Sequence, residues 1–215
     1  MQPPRRPLAA RQTKWAQALA HALTRLGVAP NAISLTSLAF SIVAAFALWQ
    51  SGQTSGAVRI GLLLAAAGLI QLRLLCNLLD GMVAIEGGRR TPYGELFNDM
   101  PDRFADLAIF IGAGYAIPAI PFGPQLGWIA GILAVLTAYV RLLGGSMGAQ
   151  QYFIGPMAKQ HRMAVMTAAC VLSTLEPLVR WDGQVLAFAL CIVIAGSIVT
   201  LVRRTARIVQ EVCSR

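Results

Sequence analysis

The chain has 215 residues, of which 56% are hydrophobic and 13% are charged. Soluble domains average about 45–50% apolar and about 25% charged residues, so the composition excludes an ordinary soluble domain and predicts an all-α integral membrane protein. The formal net charge is +9, but Arg and Lys lie between apolar stretches rather than in a stripe with interleaved aromatics, which argues against nucleic-acid binding.

The first 30 residues, 1–30, are predicted to form a cytoplasmic interfacial segment. Within residues 12–26, Trp15, Leu19 and Leu23 recur at helical spacing while basic and polar residues fall elsewhere on the wheel. A basic amphipathic helix that carries a Trp suits the lipid interface. No cleavable signal peptide is expected, because no continuous apolar core precedes residue 30.

Residues 31–215 are predicted to form one membrane domain of six transmembrane helices. Crossing a bilayer takes about 20 mostly apolar residues in a helix. Six such stretches occur between segments rich in Gly, Pro and polar residues: 32–51, 57–85, 94–117, 124–146, 160–179 and 184–205.

The basic residues predict the orientation of these spans. With both termini placed inside, most Arg and Lys fall in cytoplasmic segments, and the opposite side keeps only Arg59 and Arg180. Both termini, and the loop between the second and third spans, are therefore expected on the cytoplasmic side, and the membrane is expected to be a bacterial inner membrane.

Most acidic residues of the chain are concentrated around the junction of the second and third spans. Carboxylates at membrane depth cost several kcal/mol on insertion scales, so the cluster needs a partner, and hard oxygen ligands suit a divalent cation. The alternative is that these acids stabilise helix N-termini, which does not explain Asp80, late in an apolar helix. The six acids are Asp80, Glu86, Glu95, Asp99, Asp102 and Asp106.

The spacing of polar residues predicts two facing stripes. Asn77 and Asp80 are three residues apart and share one helical face. Gly94, Asn98 and Asp102 follow at intervals of four and form a stripe on the next helix. The Gly-Gly loop returns the chain, so the two stripes are expected to oppose each other across a cavity open to the cytoplasm.

The stretch NLLDGMVAIEGGRRTPYGELFNDMPD at 77–102 resembles the signature of the CDP-alcohol phosphotransferases, D-x2-D-G-x2-A-R-x8-G-x3-D-x3-D. Every spacing of the signature is matched. The positions that also match in identity are Asp80, Gly81, Ala84, Gly94 and Asp102.

The stretch departs from the signature at two metal-binding positions. Asn77 and Asn98 stand where the family has its first and third aspartates. An Asn carbonyl can bind magnesium but brings no charge, so metal affinity is expected to fall, with one or two ions bound. Asp99 and Asp106 either compensate for the lost charge or are surface acids of the helix.

A third departure removes a basic residue. Ile85 stands in place of the signature arginine, and Arg89 or Arg90 from the following loop are candidate substitutes. Arg73 shares a helical face with Asp80 and is expected to pair with it. The alternative for Arg73 is an arginine that snorkels to an interface.

The resemblance implies a metal-dependent transferase of phospholipid biosynthesis. Such an enzyme moves a substituted phosphate from a CDP-alcohol, usually CDP-diacylglycerol, to an alcohol acceptor and releases CMP. The cofactor implied is Mg²⁺ or Mn²⁺, and family analogy implies a homodimer. The implied roles are metal ligands at Asn77, Asp80, Asn98 and Asp102, a general base at Asp102, and nucleotide-binding positions at Gly81, Ala84 and Gly94.

A second basic group opens the fifth span on the same side. Lys159, His161 and Arg162 lie there, and Arg141 within the fourth span could join them. Arg141, Lys159 and Arg162 are therefore candidates for binding a phosphate or carboxylate of the acceptor, since guanidinium groups bind phosphate bidentately. The alternative is a simple orientation signal.

Two other function classes remain open at this point. A protein of the same fold whose Asn substitutions abolished chemistry would be a lipid-nucleotide binding protein. A small transporter would be the third possibility, because ionisable residues in spans mark ion pathways, but the acids gather at one membrane face. The acceptor alcohol is not readable from the sequence; glycerol phosphate, inositol phosphate, serine, choline or another lipid alcohol would all fit.

Overall fold

The computed structural model of the chain describes residues 13–86 and 94–214. These ranges hold seven α-helices and one short 3₁₀ helix, and no strand occurs in them. The α-helices are α1 (Lys14–Arg25), α2 (Pro30–Ser51), α3 (Gly56–Glu86), α4 (Gly94–Tyr115), α5 (Gly123–Ser146), α6 (Lys159–Ser173) and α7 (Gln184–Cys213), with the 3₁₀ helix at Glu176–Val179.

Helices α2 to α7 pack in a closed ring. Following the contacts around it, α3 packs on α2, α2 on α4, α4 on α5, α5 on α7, α7 on α6, and α6 returns to α3. The side chains that fill the centre come from all six helices, among them Leu48, Ile70, Phe110, Met163 and Leu190. Helix α1 lies outside the ring and packs on α3, with Ala16 and Ala20 buried against it.

The outer surface of the ring is apolar, as expected for a protein surrounded by lipid. Large hydrophobic side chains such as Phe46, Trp128, Phe188 and Val202 are exposed there. Helices α2, α3, α5 and α7 are long and apolar enough to cross a membrane. The chain is therefore an integral membrane protein.

Helices α4 and α6 differ from the predicted spans for identifiable reasons. The first half of α4 carries several charged residues, including Asp99, Asp102 and Asp106, which lowers its hydropathy below that of the four long apolar helices. Helix α6 ends at Ser173 rather than near 179, and its 15 residues span only about 22 Å. Helix α7 instead continues to Cys213, eight residues beyond the predicted end.

Glycines permit close helix contacts beside the site-bearing helix α4. A Cβ added to Gly127 of α5 would come within 2.5 Å of the Phe110 carbonyl oxygen and 3.0 Å of the Gly114 Cα. Both atoms belong to the backbone of α4, which cannot move aside as a side chain could. The α4–α5 distance therefore depends on glycine at this position.

Candidate active site

The predicted faces of α3 and α4 meet through a direct hydrogen bond. The side-chain amide of Asn77 donates to Asp102 Oδ1 at 3.0 Å. Ser37 of α2 donates to the other end of the amide, Asn77 Oδ1, at 2.9 Å. Because an ionised carboxylate only accepts hydrogen bonds, Asn77 turns its nitrogen toward Asp102 and its oxygen toward Ser37.

Asp102 is bound on its other oxygen by a residue from a distant part of the chain. Lys159, the first residue of α6, donates to Asp102 Oδ2. Asp102 is 8% exposed, so this ammonium provides much of the charge compensation that a largely buried carboxylate requires.

Asp80 lies one turn beyond Asn77 and is also buried. Ser34 donates to Asp80 Oδ2 at 2.8 Å, which ties the carboxylate to α2. Asp80 is close enough to Asp102 and Lys159 to interact electrostatically with both. The two predicted carboxylates thus belong to one electrostatic environment.

A buried ionic triad lies beneath these residues. Asp106, 1% exposed, accepts from Arg73 on one carboxylate oxygen and from Arg162 on the other. Arg73 is fully buried and also donates to the backbone carbonyl of Asp102 at 3.4 Å. The triad joins α3, α4 and α6 directly under the Asn77–Asp102 contact.

Asp99 forms a second, more exposed ionic group with two arginines. Its Oδ2 lies 3.1 Å from a guanidinium nitrogen of Arg141 and 3.2 Å from one of Arg103. The guanidinium of Arg141 also lies over the ring of Phe153, 5.1 Å from its centroid, at a distance typical of cation–π contacts. Arg141 is therefore held in place from two sides.

One cavity of about 410 Å³ is lined by most of these groups, whereas Asp80, Arg73 and Asp106 lie outside its lining. Carboxylates and the amide approach it from α3 and α4, and basic residues approach it from α5, α6 and α7. Its polar and charged lining includes Asn77, Asp99, Asp102, Arg103, Thr137, Arg141, Lys159, Arg162 and Arg204.

The segment between α5 and α6 is fixed to α7, and this sets the position of Lys159. The Thr200 hydroxyl accepts from the Met157 amide at 3.0 Å. Arg204 Nε donates to the Ile154 carbonyl at 3.0 Å. Gly155, at φ +118°, packs so tightly on Thr200 that an added Cβ would lie 2.5 Å from it, which leaves glycine as the residue that fits.

The structure brings together many of the residues singled out in the sequence. Asn77, Asp102, Arg141, Lys159 and Arg162 all line the same cavity, and Asp99 joins them. Gly81 and Ala84 follow Asp80 on α3. Gly94 and Asn98 lie in α4, but their side-chain positions are outside what the structure describes, as are Arg89 and Arg90 in the segment 87–93.

Two expectations about the ionic partners are corrected. Arg73 pairs with Asp106, and more distantly with Asp102 at 3.6 Å, instead of with Asp80. Its long side chain reaches across to α4, whereas Asp80 turns toward Ser34 on α2. Asp106 is not a surface acid of the helix, because both of its oxygens are buried in ion pairs.

Several contributing residues were not recognised in the sequence. Arg204, Phe153 and Thr137 line the cavity, but the residues near them in the chain form no motif that marks a site. Ser34 does carry a signal, since it ends the Pro-Asn-x-x-Ser stretch at 30–34, but its bond to a residue 46 positions away is not readable from that stretch.

The carboxylates of Asp80 and Asp102 fit a divalent cation that is bound by few protein ligands. Among the described side chains, no three Asp, Glu, His or Cys residues form a ready metal cage. Mg²⁺, however, is commonly bound through one or two carboxylates plus substrate phosphates. Two neighbouring aspartates supply hard oxygen donors for such binding, and Asn77 would add its amide oxygen only after turning it away from Ser37.

The chain is similar to phosphatidylinositol phosphate synthases along most of its length. It is 27% identical to that of Streptomyces avermitilis over 205 residues, which cover 88% of this chain and 75% of the relative. It is 27% identical to that of Cutibacterium acnes over 203 residues, covering 88% and 91%. No protein-family model matches the sequence.

Solved structures share the fold. Phosphatidylinositol phosphate synthase PgsA1 of Mycobacterium tuberculosis with CDP-DAG bound superposes with a TM-score of 0.76 at 21% identity, covering 91% of this chain and 94% of that one. The same protein in complex with manganese and citrate superposes with a TM-score of 0.75, covering 90% and 88%. These similarities, at low identity, support the resemblance of the stretch at 77–102 to the CDP-alcohol phosphatidyltransferases.

Proposed function

We propose that this protein transfers a phosphatidyl-type group from a CDP-alcohol, CDP-diacylglycerol in the first instance, to an alcohol acceptor and releases CMP. The observation that carries the proposal is the Asn77–Asp102 contact, which holds the two motif-bearing helices face to face at one cavity. Relatives named phosphatidylinositol phosphate synthase and the PgsA1 structure with CDP-DAG bound support the substrate class.

Asp102 is proposed as the general base. It would take the proton of the acceptor hydroxyl, whose oxygen then attacks the phosphorus attached to the donor alcohol. The bond from that phosphorus to the bridging oxygen breaks, and CMP leaves with the electron pair. A positioned general base typically accelerates such a step by about 10²–10⁴-fold.

Asn77, Asp80, Asn98 and Asp102 are proposed to hold Mg²⁺ or Mn²⁺. A divalent cation there would neutralise charge that builds on the phosphoryl oxygens and orient the in-line attack. The PgsA1 structure solved with manganese supports this choice of ions. The hydrogen bond from Ser34 fixes the orientation of the Asp80 carboxylate, so the carboxylate would need little reorientation to bind the cation.

The nucleotide is proposed to lie along α3 at Gly81 and Ala84, with Gly94 opposite. Small side chains there would let the pyrophosphate approach the backbone. These positions follow the resemblance to the family signature rather than any contact of the described residues.

The acceptor is proposed to carry a phosphate, held by Arg141, Lys159 and Arg162. Arg162 is nearly fully buried, lines the cavity and has an Nε without a hydrogen-bond partner. Buried donors of this kind are normally satisfied, and an anionic ligand would supply a counter-charge. Relatives whose names specify a phosphorylated product favour the same acceptor class.

We place both termini and the cavity on the cytoplasmic side of a bacterial inner membrane. Helix α4, and α6 together with the 3₁₀ helix at Glu176–Val179, are proposed to complete six spans, since α4 and α6 close the ring formed with the four long apolar helices. Residues 1–30 are proposed as the interfacial segment because, in α1, Trp15 and Leu19 are exposed beside the ring, where the headgroup region would receive them. The protein is proposed to form a homodimer, as family analogy implies.

A lipid-nucleotide binding protein without turnover is the second candidate. It is favoured by the hydrogen bonds of Asp102, whose two oxygens already accept from Asn77 and Lys159. In that case CDP-diacylglycerol would bind to the protein, and no alcohol would be converted.

The test is to incubate purified protein with CDP-diacylglycerol, Mn²⁺ and a panel of paired alcohols, each with and without a phosphate group. Mass spectrometry then identifies the lipid product. The proposal expects CMP and a new phospholipid, formed faster from phosphorylated acceptors. Binding of CDP-diacylglycerol with no product from any alcohol would instead establish the second candidate.

A further inference from the structure

Lys159 differs from the other basic residues of the cavity in how it is held. Arg162 donates to Thr137, the Met157 carbonyl and Asp106. Among the described residues, the side chain of Lys159 has one hydrogen-bond partner, Asp102, and it is 24% exposed. Lysine carries a compact charge on a flexible four-carbon stem, so Lys159 can leave its partner without dismantling other contacts.

The partner of Lys159 is the carboxylate that the proposed function assigns to metal binding. Asn77 donates to one oxygen of Asp102 and Lys159 donates to the other, so a cation can bind Asp102 only beside a group that already donates to the same oxygen. Two positive charges on one carboxylate oxygen repel each other strongly in a largely buried site. Lys159 and a divalent cation therefore compete for Asp102 Oδ2.

The ammonium of Lys159 could also bind an anion in the same cavity. It lines the same cavity as Arg141 and Arg162, and it lies three residues before Arg162, on the same helical face. A phosphate group bound beside Arg162 would offer oxygens to the released ammonium. Displacement from Asp102 would then place the charge where an anion is bound.

We propose that Lys159 exchanges partners: it neutralises Asp102 in the metal-free protein and moves to an anionic ligand of the cavity when a divalent cation occupies Asp102. This inference rests on the proposed function for the metal site. Its consequence is that cation and anion bind cooperatively, and linkage requires each to strengthen the other by the same factor. Lys159 thereby makes the acceptor site depend on a loaded metal site.

The test measures Mn²⁺ binding to the full-length protein by the EPR signal of the free ion, with and without sulfate as the anion and without any nucleotide substrate. In the wild type, sulfate is expected to raise Mn²⁺ affinity by about fivefold or more, the lower range of known couplings. Lys159→Met should bind Mn²⁺ more tightly than wild type without sulfate and should lose the sulfate effect. Lys14→Met, which removes an equal charge from exposed α1, should retain it.

An undiminished sulfate effect in Lys159→Met, or weaker Mn²⁺ binding in that variant, would overturn the inference. The inference would also be overturned if the wild-type protein bound Mn²⁺ equally with and without sulfate. That measurement needs no variant, so it remains available even if both Lys159→Met and Lys159→Gln fail to fold. Failure of the proposed function is separate: it appears as absence of CMP release, whereas the binding measurement requires no turnover.

Discussion

Asn77 replaces an aspartate of the family signature, and its contact explains how the site tolerates the change. A carboxylate at this position would lie about 3 Å from Asp102, because Asn77 Nδ2 is 3.0 Å from Asp102 Oδ1. Two such charges repel unless a cation lies between them. The amide instead donates a hydrogen bond to Asp102, so the contact is stable without a cation.

Asn77→Asp should therefore make stability depend on metal. Without divalent cations, we expect a loss of about 1.5–3 kcal/mol, the size of a hydrogen bond to a charged group. Added Mn²⁺ should stabilise the variant more than it stabilises the wild type. Thermal unfolding in detergent, with and without Mn²⁺, measures both effects.

Gln50→Glu is the matched control, since Gln50 lies near the C-terminal end of α2, away from Ser37, which contacts Asn77 near the other end of that helix. It should show no extra stabilisation by Mn²⁺. Equal responses of the two variants would show that position 77 does not contribute to cation binding.

Asp106 holds two buried arginines, and its removal should destabilise the protein strongly. Asp106→Asn leaves the charges of Arg73 and Arg162 without their buried counter-ion, a change that typically costs about 3–5 kcal/mol. Asp99→Asn, which breaks half-exposed pairs, should cost less than about 1 kcal/mol. Chemical or thermal unfolding compares the two, and similar losses would contradict the buried triad.

At the scale of helices, the position of α4 depends on its contact with α5. Gly127→Val should destabilise the protein and lower CMP release, because the new side chain would meet the α4 backbone at Phe110 and Gly114. A forced shift would also separate α4 from the rest of the cavity. Overpacking of this kind typically costs about 1–3 kcal/mol.

Gly68→Val on α3 provides the comparison, since nothing lies within 4 Å of its added Cβ. Its thermal midpoint and CMP release should stay close to those of the wild type. If Gly127→Val behaves like Gly68→Val, the α4–α5 contact does not set the geometry of the site.

At the scale of the whole molecule, the spacing of residues along the chain predicted the helices and the half of the site that α3 and α4 provide. The three-residue interval between Asn77 and Asp80 and the signature at 77–102 indicated facing polar stripes on α3 and α4, and the Asn77–Asp102 bond joins those helices. The apolar stretches also gave the positions of the four long spans. These features depend on residues that are close together in the chain.

The other half of the cavity could not be predicted in the same way. Lys159 meets Asp102 across 57 positions, and Arg204 meets Ile154 across 50. Such contacts depend on how the ring of helices closes, which helical periodicity does not specify. The predicted end of α6, near residue 179, was also wrong. The prediction followed the apolar stretch past Ser173, whereas the helix ends at Ser173.

CMP release from CDP-diacylglycerol by the purified protein is the most direct measurement of the central claim, with Asp102→Asn compared to the wild type at saturating Mn²⁺ and acceptor. Asp102→Asn should lower the rate by about 100-fold or more, and removing the divalent cation with a chelator should abolish release by the wild type. Asp182→Asn, an exposed acid paired with Arg59 on another part of the molecule, should retain the wild-type rate. Undiminished CMP release by Asp102→Asn, or by the wild type without divalent cations, would contradict the account.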